Sequence, residues 1–169
     1  MPYISNIQSQ TYLAGQISDS NPFSLDSAPN AESTLSIPFG IAMKIDSVSG
    51  GYKLPAASGD ITNRMAVNVI INRNRFYSYD ASLNPTITGN DRVAPGGWCA
   101  GLTLGYVAVV VEEAVNAGDP CFIRYASGAG GTQLGAFRKS ADTSTAAAHP
   151  VWYYETAAAI GTIALVRVA

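Results

Sequence analysis

The chain has 169 residues, 47% of them hydrophobic, which is enough apolar content for one packed domain and excludes a disordered chain. Only 13% of residues are charged and the formal net charge is −2, so no global field draws in nucleic acid or acidic lipid. No stretch approaches the roughly 18 consecutive apolar residues of a membrane-spanning helix. The N-terminal MPYISNIQSQTYLAGQ lacks the basic start and apolar centre of a secretory signal, which reads as a product made in the cytoplasm.

The charged fraction is about half that of an ordinary soluble domain. A free monomer keeps a mixed charged surface, so this composition suits a subunit covered by neighbours. Residues 1–34 are polar and punctuated by Asn21-Pro22 and Ala28-Pro29. They are expected to form an extended N-terminal arm or loop laid against another surface. Regular structure is expected from LSIPFGIAMKI at 35–45, within a single β-domain spanning 35–169. GGYKLP then makes a turn and a short strand, and SGD at 58–60 another turn. RMAVNVIINRNRFYSYD at 64–80 reads as a long strand or strand pair. WCAGLTLGYVAVVVEEAV supplies one or two strands, GDPCFIRYA the next, and VWYYET and IGTIALVRVA close the chain. Helical periodicity is weak; the best short candidates are Asn30–Thr34 and Ala141–Ala148. Short strands with Gly, Pro and Asp at their joints predict an all-β barrel or sandwich with at most short helices.

Tyr106 to Val111 is apolar and β-branched without alternation, as in a strand buried on both faces. Glu112 and Glu113 follow. In a continuing strand, adjacent side chains point to opposite faces. Two such carboxylates cannot converge on one bond, as glycosidase pairs must across roughly 5–10 Å. They are read as the solvent-side end of a strand. Asn116-Ala117-Gly118 turns the chain, and Asp119 is expected to accept hydrogen bonds from turn amides.

Other candidate sites are weak. His149 follows an alanine run with no G-x-S-x-G elbow in the chain, so it is read as a loop histidine. Cys99, Cys121 and His149 lack the paired spacing of a zinc site. The two cysteines are read as buried, reduced thiols whose replacement by alanine costs about 1–2 kcal/mol each in lost volume. SGAGGTQLG at 127–135 lacks the G-K-[ST] ending of a phosphate loop and is read as a hairpin tip. No catalytic residue, cofactor-binding residue or metal ligand is assigned. In NRNRFYSYD, a strand would place Arg73, Arg75, Tyr77 and Tyr79 in one row. That is the composition of interface hot spots, and a solvated strand end is the competing reading.

The order of motifs resembles a known family. AGQISDS (14–20), STLSIPFGIAM (33–43), GGYKLP (50–55), GYVAVVVEEAVNAGDPCFIRY (105–125), GGTQLGAFRKSAD (130–142) and AAIGTIALVRV (158–168) follow in collinear order over most of the chain. Together they are similar to the structural cement proteins that decorate the heads of tailed bacteriophages; residues 61–98 depart from the pattern. The resemblance implies a β-rich subunit, typically a homotrimer on the outer capsid surface of the virion. It implies the major capsid protein as partner, with no nucleic acid or membrane partner, no cofactor and no catalytic residue. Another virion component, such as a head-fibre or tail protein touching host glycan, is the alternative.

Overall fold

The computed structural model describes residues 12–18, 22–62, 64–70 and 92–169. Its strands are β1 (Ser24–Pro29), β2 (Ile37–Pro38), β3 (Ala42–Ile45), β4 (Tyr52–Lys53), β5 (Met65–Asn68), β6 (Arg92–Val93), β7 (Trp98–Val110), β8 (Pro120–Arg124), β9 (Phe137–Arg138), β10 (Ala146–Tyr154) and β11 (Ile163–Val168). Among the described residues the only helical element is one 3-10 turn, Ser58–Asp60. The fold is all-β, as the turn-punctuated sequence predicts.

Among the described residues, nine strands make one sheet in the order β4-β3-β5-β7-β11-β10-β8-β9, with β1 also on β7; β2 and β6 form a separate pair. The 13-residue β7 is the spine. Its first half carries β1 and β5, and its second half carries β11. Between the halves the ladder shifts: Leu25 faces Leu102 while Ser24 faces Leu104, a bulge on β7. Gly105 follows with φ 130°, backbone that side-chain-bearing residues rarely adopt. The extra residue reverses which face of the strand is inward. Before the bulge the even residues Ala100 and Leu102 enter the large core; after it the odd residues Val107 and Val109 do.

The sheet curls at both ends. Asn30, just after β1, bridges Tyr52 of β4, and Ala31 N donates to Tyr52 O at 2.8 Å. At the other end Val111 bridges Phe137 of β9, and Glu112 N donates to Phe137 O at 2.9 Å. Curling covers edge groups that would otherwise template aggregation.

Two cores result. The larger joins Val67, Leu102, Val109, Ile123, Phe137, Trp152, Tyr154 and Val166. The smaller holds Ile37, Phe39, Met43, Tyr52, Leu54, Ala66, Val93 and Cys99. β3 and β5 lie between them. Ala42, Met65 and Val67 face the larger core, and Met43 and Ala66 the smaller. That is why MAVN is buried at every position and its sequence shows no alternation.

Three expectations change. Among the described residues a strand is already present at Ser24, inside the segment read as arm, because β1 pairs with six residues of β7. Asn30–Thr34 is not helical; Asn30 instead pairs into the sheet. Ala141–Ala148 is a turn followed by the start of β10. Asp142, Thr143 and Ser144 take φ of 44°, 55° and 65°, the wrong hand for a helix, so tertiary contacts override alanine propensity there.

Packing in the smaller core is tight around one glycine. A methyl group on Gly101 would land on the Tyr52 hydroxyl and near Ala66 Cβ. That hydroxyl is buried without a hydrogen-bond partner, and burial pushes its pKa up to about 12. Gly101→Ala is therefore expected to destabilise by about 1–3 kcal/mol through overpacking. Tyr52→Phe alone should be near neutral, since the lost hydroxyl had no partner, and should restore part of the Gly101→Ala loss, the ring carbon Cζ at 2.6 Å and Ala66 Cβ at 2.8 Å still opposing the methyl. Urea unfolding of the two single variants and the double variant measures this; equal losses with and without Tyr52→Phe would contradict it.

Candidate functional site

The densest polar constellation lies where β7 ends, β8 ends and the 127–142 segment returns. Arg124 ends an apolar strand, and its side chain is 0% exposed. Its Nε donates to both Glu112 oxygens at 3.0 and 2.7 Å, and its Nη2 donates to Asp142 Oδ2 at 2.7 Å. Its Nη1 reaches Thr145 Oγ1 and Ala126 O at 2.9 and 3.2 Å. Arg138 lies alongside, with Nη1 3.0 Å from Asp142 Oδ2 and 3.5 Å from Glu112 Oε2. Burial opposes the charge on Arg124, but hydrogen bonds to Glu112 and Asp142 outweigh it and hold its pKa above the ordinary value. Asp142, bonded first of all by Arg124, sits below the usual carboxylate value.

β7 ends at Val110, so Glu112 and Glu113 lie in a bend rather than a continuing strand, and both carboxylates come within 3.5 Å of the Arg138 guanidinium. Glu113 turns to Lys139 N at 2.6 Å and Ser140 Oγ at 3.1 Å. The expectation of a solvent-side strand end is corrected for Glu112, whose side chain is only 13% exposed because Arg124 draws it inward. The glycine-rich tip closes over this cluster. Methyl groups on Gly128, Gly130 and Gly131 would strike Asp142, Arg138 and Glu112 respectively. Gly130 N also donates to Asp142 Oδ2 at 3.1 Å. These glycines let backbone approach bound side chains within the protein rather than a phosphate. Every donor here is spent on a neighbour, so the cluster is a clamp holding β8, β9 and the loop before β10. Asp119 behaves as its turn demands, its Oδ2 accepting from Asn116 N at 2.8 Å.

His149 is not in a loop. It lies in β10, 3% exposed and stacked on Trp152 at 3.9 Å between ring centroids. Its Nδ1 accepts from Val151 N and Trp152 N at 3.3 and 3.2 Å, so the neutral ring carries its proton on Nε2, 2.8 Å from Thr62 O. Burial lowers its pKa to about 4, against the smaller opposing effect of the Thr62 hydrogen bond. The ring staples β10 to the segment before β5, with both nitrogens used.

Cys99 and Cys121 are buried free thiols in different cores. Burial pushes Cys99 up to about 12 and Cys121 higher. Among the described residues no three His, Cys, Asp or Glu side chains group in a way that could hold a metal ion. Arg73, Arg75, Tyr77 and Tyr79 lie outside the described residues. The sequence reading missed the Glu112–Arg124–Asp142 clamp. Its only linear signal was an arginine ending an otherwise apolar strand.

Fold and site together define an all-β structural subunit, braced by a buried ion-pair clamp and a histidine staple. Residues 3–169 match the phage family described as "Structural cement protein (E217 gp24/Pam3 gp6)", and the chain belongs to that family. The match supports a structural role in a phage capsid. Among solved structures the fold is similar to a chain of "The capsid of Myoviridae Phage XM1", with a TM-score of 0.60 and 15% identity over 93% of this chain and 89% of that one. No curated protein matches the chain.

Proposed function

We propose that the protein is a component of a phage head that binds the outer capsid surface, contacts the major capsid protein and bridges neighbouring capsomers as a homotrimer. It stabilises the mature head against the outward pressure of packaged genome. The observation that carries this reading is family membership across nearly the whole chain. The likeness of fold to a chain of a phage capsid structure supports it. The low charge content agrees with a subunit whose surface is largely covered, and the polar N-terminal segment is its arm toward a neighbour.

The mechanism is thermodynamic linkage. A ligand that binds the mature shell and not the ruptured one adds stability to the shell by mass action. The gain is about 2.7 kcal/mol per site when free protein is at 100 times its Kd. Summed over many sites, modest affinity gives large resistance. Clamp and staple serve this role by stiffening the subunit, since a bridge that deforms under load transmits none. The test is the temperature at which DNA-filled heads lacking this protein release their genome. Purified protein added back should raise that temperature, saturating as sites fill. Saturated heads that release DNA at the unchanged temperature would overturn the stabilising role.

A further inference from the structure

Asp142, Thr143 and Ser144 are three consecutive side-chain-bearing residues with positive φ, and every other positive φ among the described residues falls on a glycine. The left-handed region costs such residues energy at each position, and a β-branched residue such as Thr143 is an outlier there. The alanines that flank the three favour the opposite hand. The side chains of Thr143 and Ser144 are exposed, so no core contact repays the backbone they adopt. A conformation that local preference resists persists only where its surroundings impose it.

The charged hold on this turn converges on one atom. Asp142 Oδ2 accepts from Arg124 Nη2 at 2.7 Å and lies 3.0 Å from Arg138 Nη1, both on sheet strands. The same oxygen accepts from Gly130 N of the glycine-rich tip at 3.1 Å. Tyr125 adds one neutral bond, its hydroxyl donating to Ser144 O at 2.6 Å. The other bonds are local to each piece. Within the turn, Thr145 N and Ala146 N donate to Ala141 O at 2.9 and 3.0 Å, and Thr145 Oγ1 donates to Asp142 O at 2.8 Å. Within the tip, the amides of Gly128 and Gly131 donate to each other's carbonyls at 2.9 and 3.2 Å.

We propose that the glycine-rich tip and the 141–145 turn form one strained latch, keyed by Asp142, that opens as a unit while the sheet stays folded. Strain in the left-handed turn drives it open, and the Asp142 carboxylate holds it shut. Tip and turn share that carboxylate, so loosening either loosens both. Opening uncovers Arg124 and Glu112, whose side chains are 0% and 13% exposed when the latch is shut. The latch goes beyond the cement reading and does not depend on it.

Hydrogen exchange of the full chain at pH 7, read by mass spectrometry, tests this. Peptides covering 126–133 and 141–146 should exchange at least about 100-fold faster than those covering 105–111 and 163–168, where β7 and β11 pair in the core. Thr143→Gly removes the side chain that the left-handed backbone opposes. It should slow exchange about 3–10-fold in both latch peptides, although the substitution lies outside the tip. Asp142→Asn exchanges a charged acceptor for a neutral one and should speed both by about 10-fold or more. Unchanged protection of 105–111 and 163–168 verifies the fold of each variant; if Asp142→Asn loses it, Thr143→Gly decides alone. A turn that responds while the tip does not overturns the shared latch. Tip and turn exchanging no faster than the sheet overturn the local opening. Thr143→Gly that fails to slow exchange overturns strain as its cause.

Discussion

Arg124→Met is expected to destabilise the protein by about 3–5 kcal/mol. The substitution roughly conserves volume, so the loss does not come from a cavity. It comes from Glu112 and Asp142, whose side chains are 13% and 12% exposed and which keep their charges without the arginine that bonds both. Removing one partner of a buried pair costs several kcal/mol because the survivor stays desolvated. Arg138 contacts both acids and offsets part of the loss, placing the result toward the lower end. Asp142→Asn should cost less, since the amide stays neutral when buried and Arg124 keeps Glu112. Urea midpoints at constant m-value give these differences. A loss below about 1 kcal/mol for Arg124→Met would show that the cluster is decoration rather than clamp.

Stability is also expected to fall by about 3 kcal/mol as pH drops from 6.5 to 4, through His149 alone. In the unfolded chain the ring takes up a proton near 6.5, whereas in the fold burial delays this to about 4. Between those values the unfolded state binds more protons, so stability rises with pH. The contribution is fully present above pH 6.5, declines as pH falls and levels off below about 4. The difference of about 2.5 units corresponds to roughly 3 kcal/mol at 1.36 kcal/mol per unit. Asp46, Asp60 and Asp142 have pKa values below the ordinary 3.8, so their contributions fade in a lower, separate window. His149→Asn should lower stability at pH 7 and flatten the slope between 4 and 6.5. Trp152, stacked on the ring, gives a local fluorescence reading of the same titration. A wild-type profile without slope in that window would contradict the buried neutral ring.

Much of this fold is legible in the sequence where local pattern and burial agree. The valine run of β7 reads correctly because it is covered on both faces around Val107–Val109. The closing strand IGTIALVRVA reads correctly because β11 buries one face and leaves the other half-buried or open. The 141–148 segment misleads because alanine propensity is weak beside Arg124 holding Asp142 in a left-handed turn. The clamp is illegible for a different reason. Glu112, Arg124 and Asp142 lie 12 and 18 residues apart, and nothing local says that the sheet curls to bring them together. The same holds for the rung Tyr106–Arg167–Tyr153, which the registers of β7, β11 and β10 set side by side. Alternating Arg and Tyr in the sequence, as at 73–79, are visible to linear reading, while a row across strands is fixed by register.

The most direct test of the central claim is an electron-microscopy map of DNA-filled heads assembled with this protein, set beside one of heads assembled without it. Difference density fitting this curled sheet, outside the shell at junctions between capsomers and grouped in threes, is the predicted result. Density confined to the tail or the shell interior, or no difference between the two maps, would contradict it.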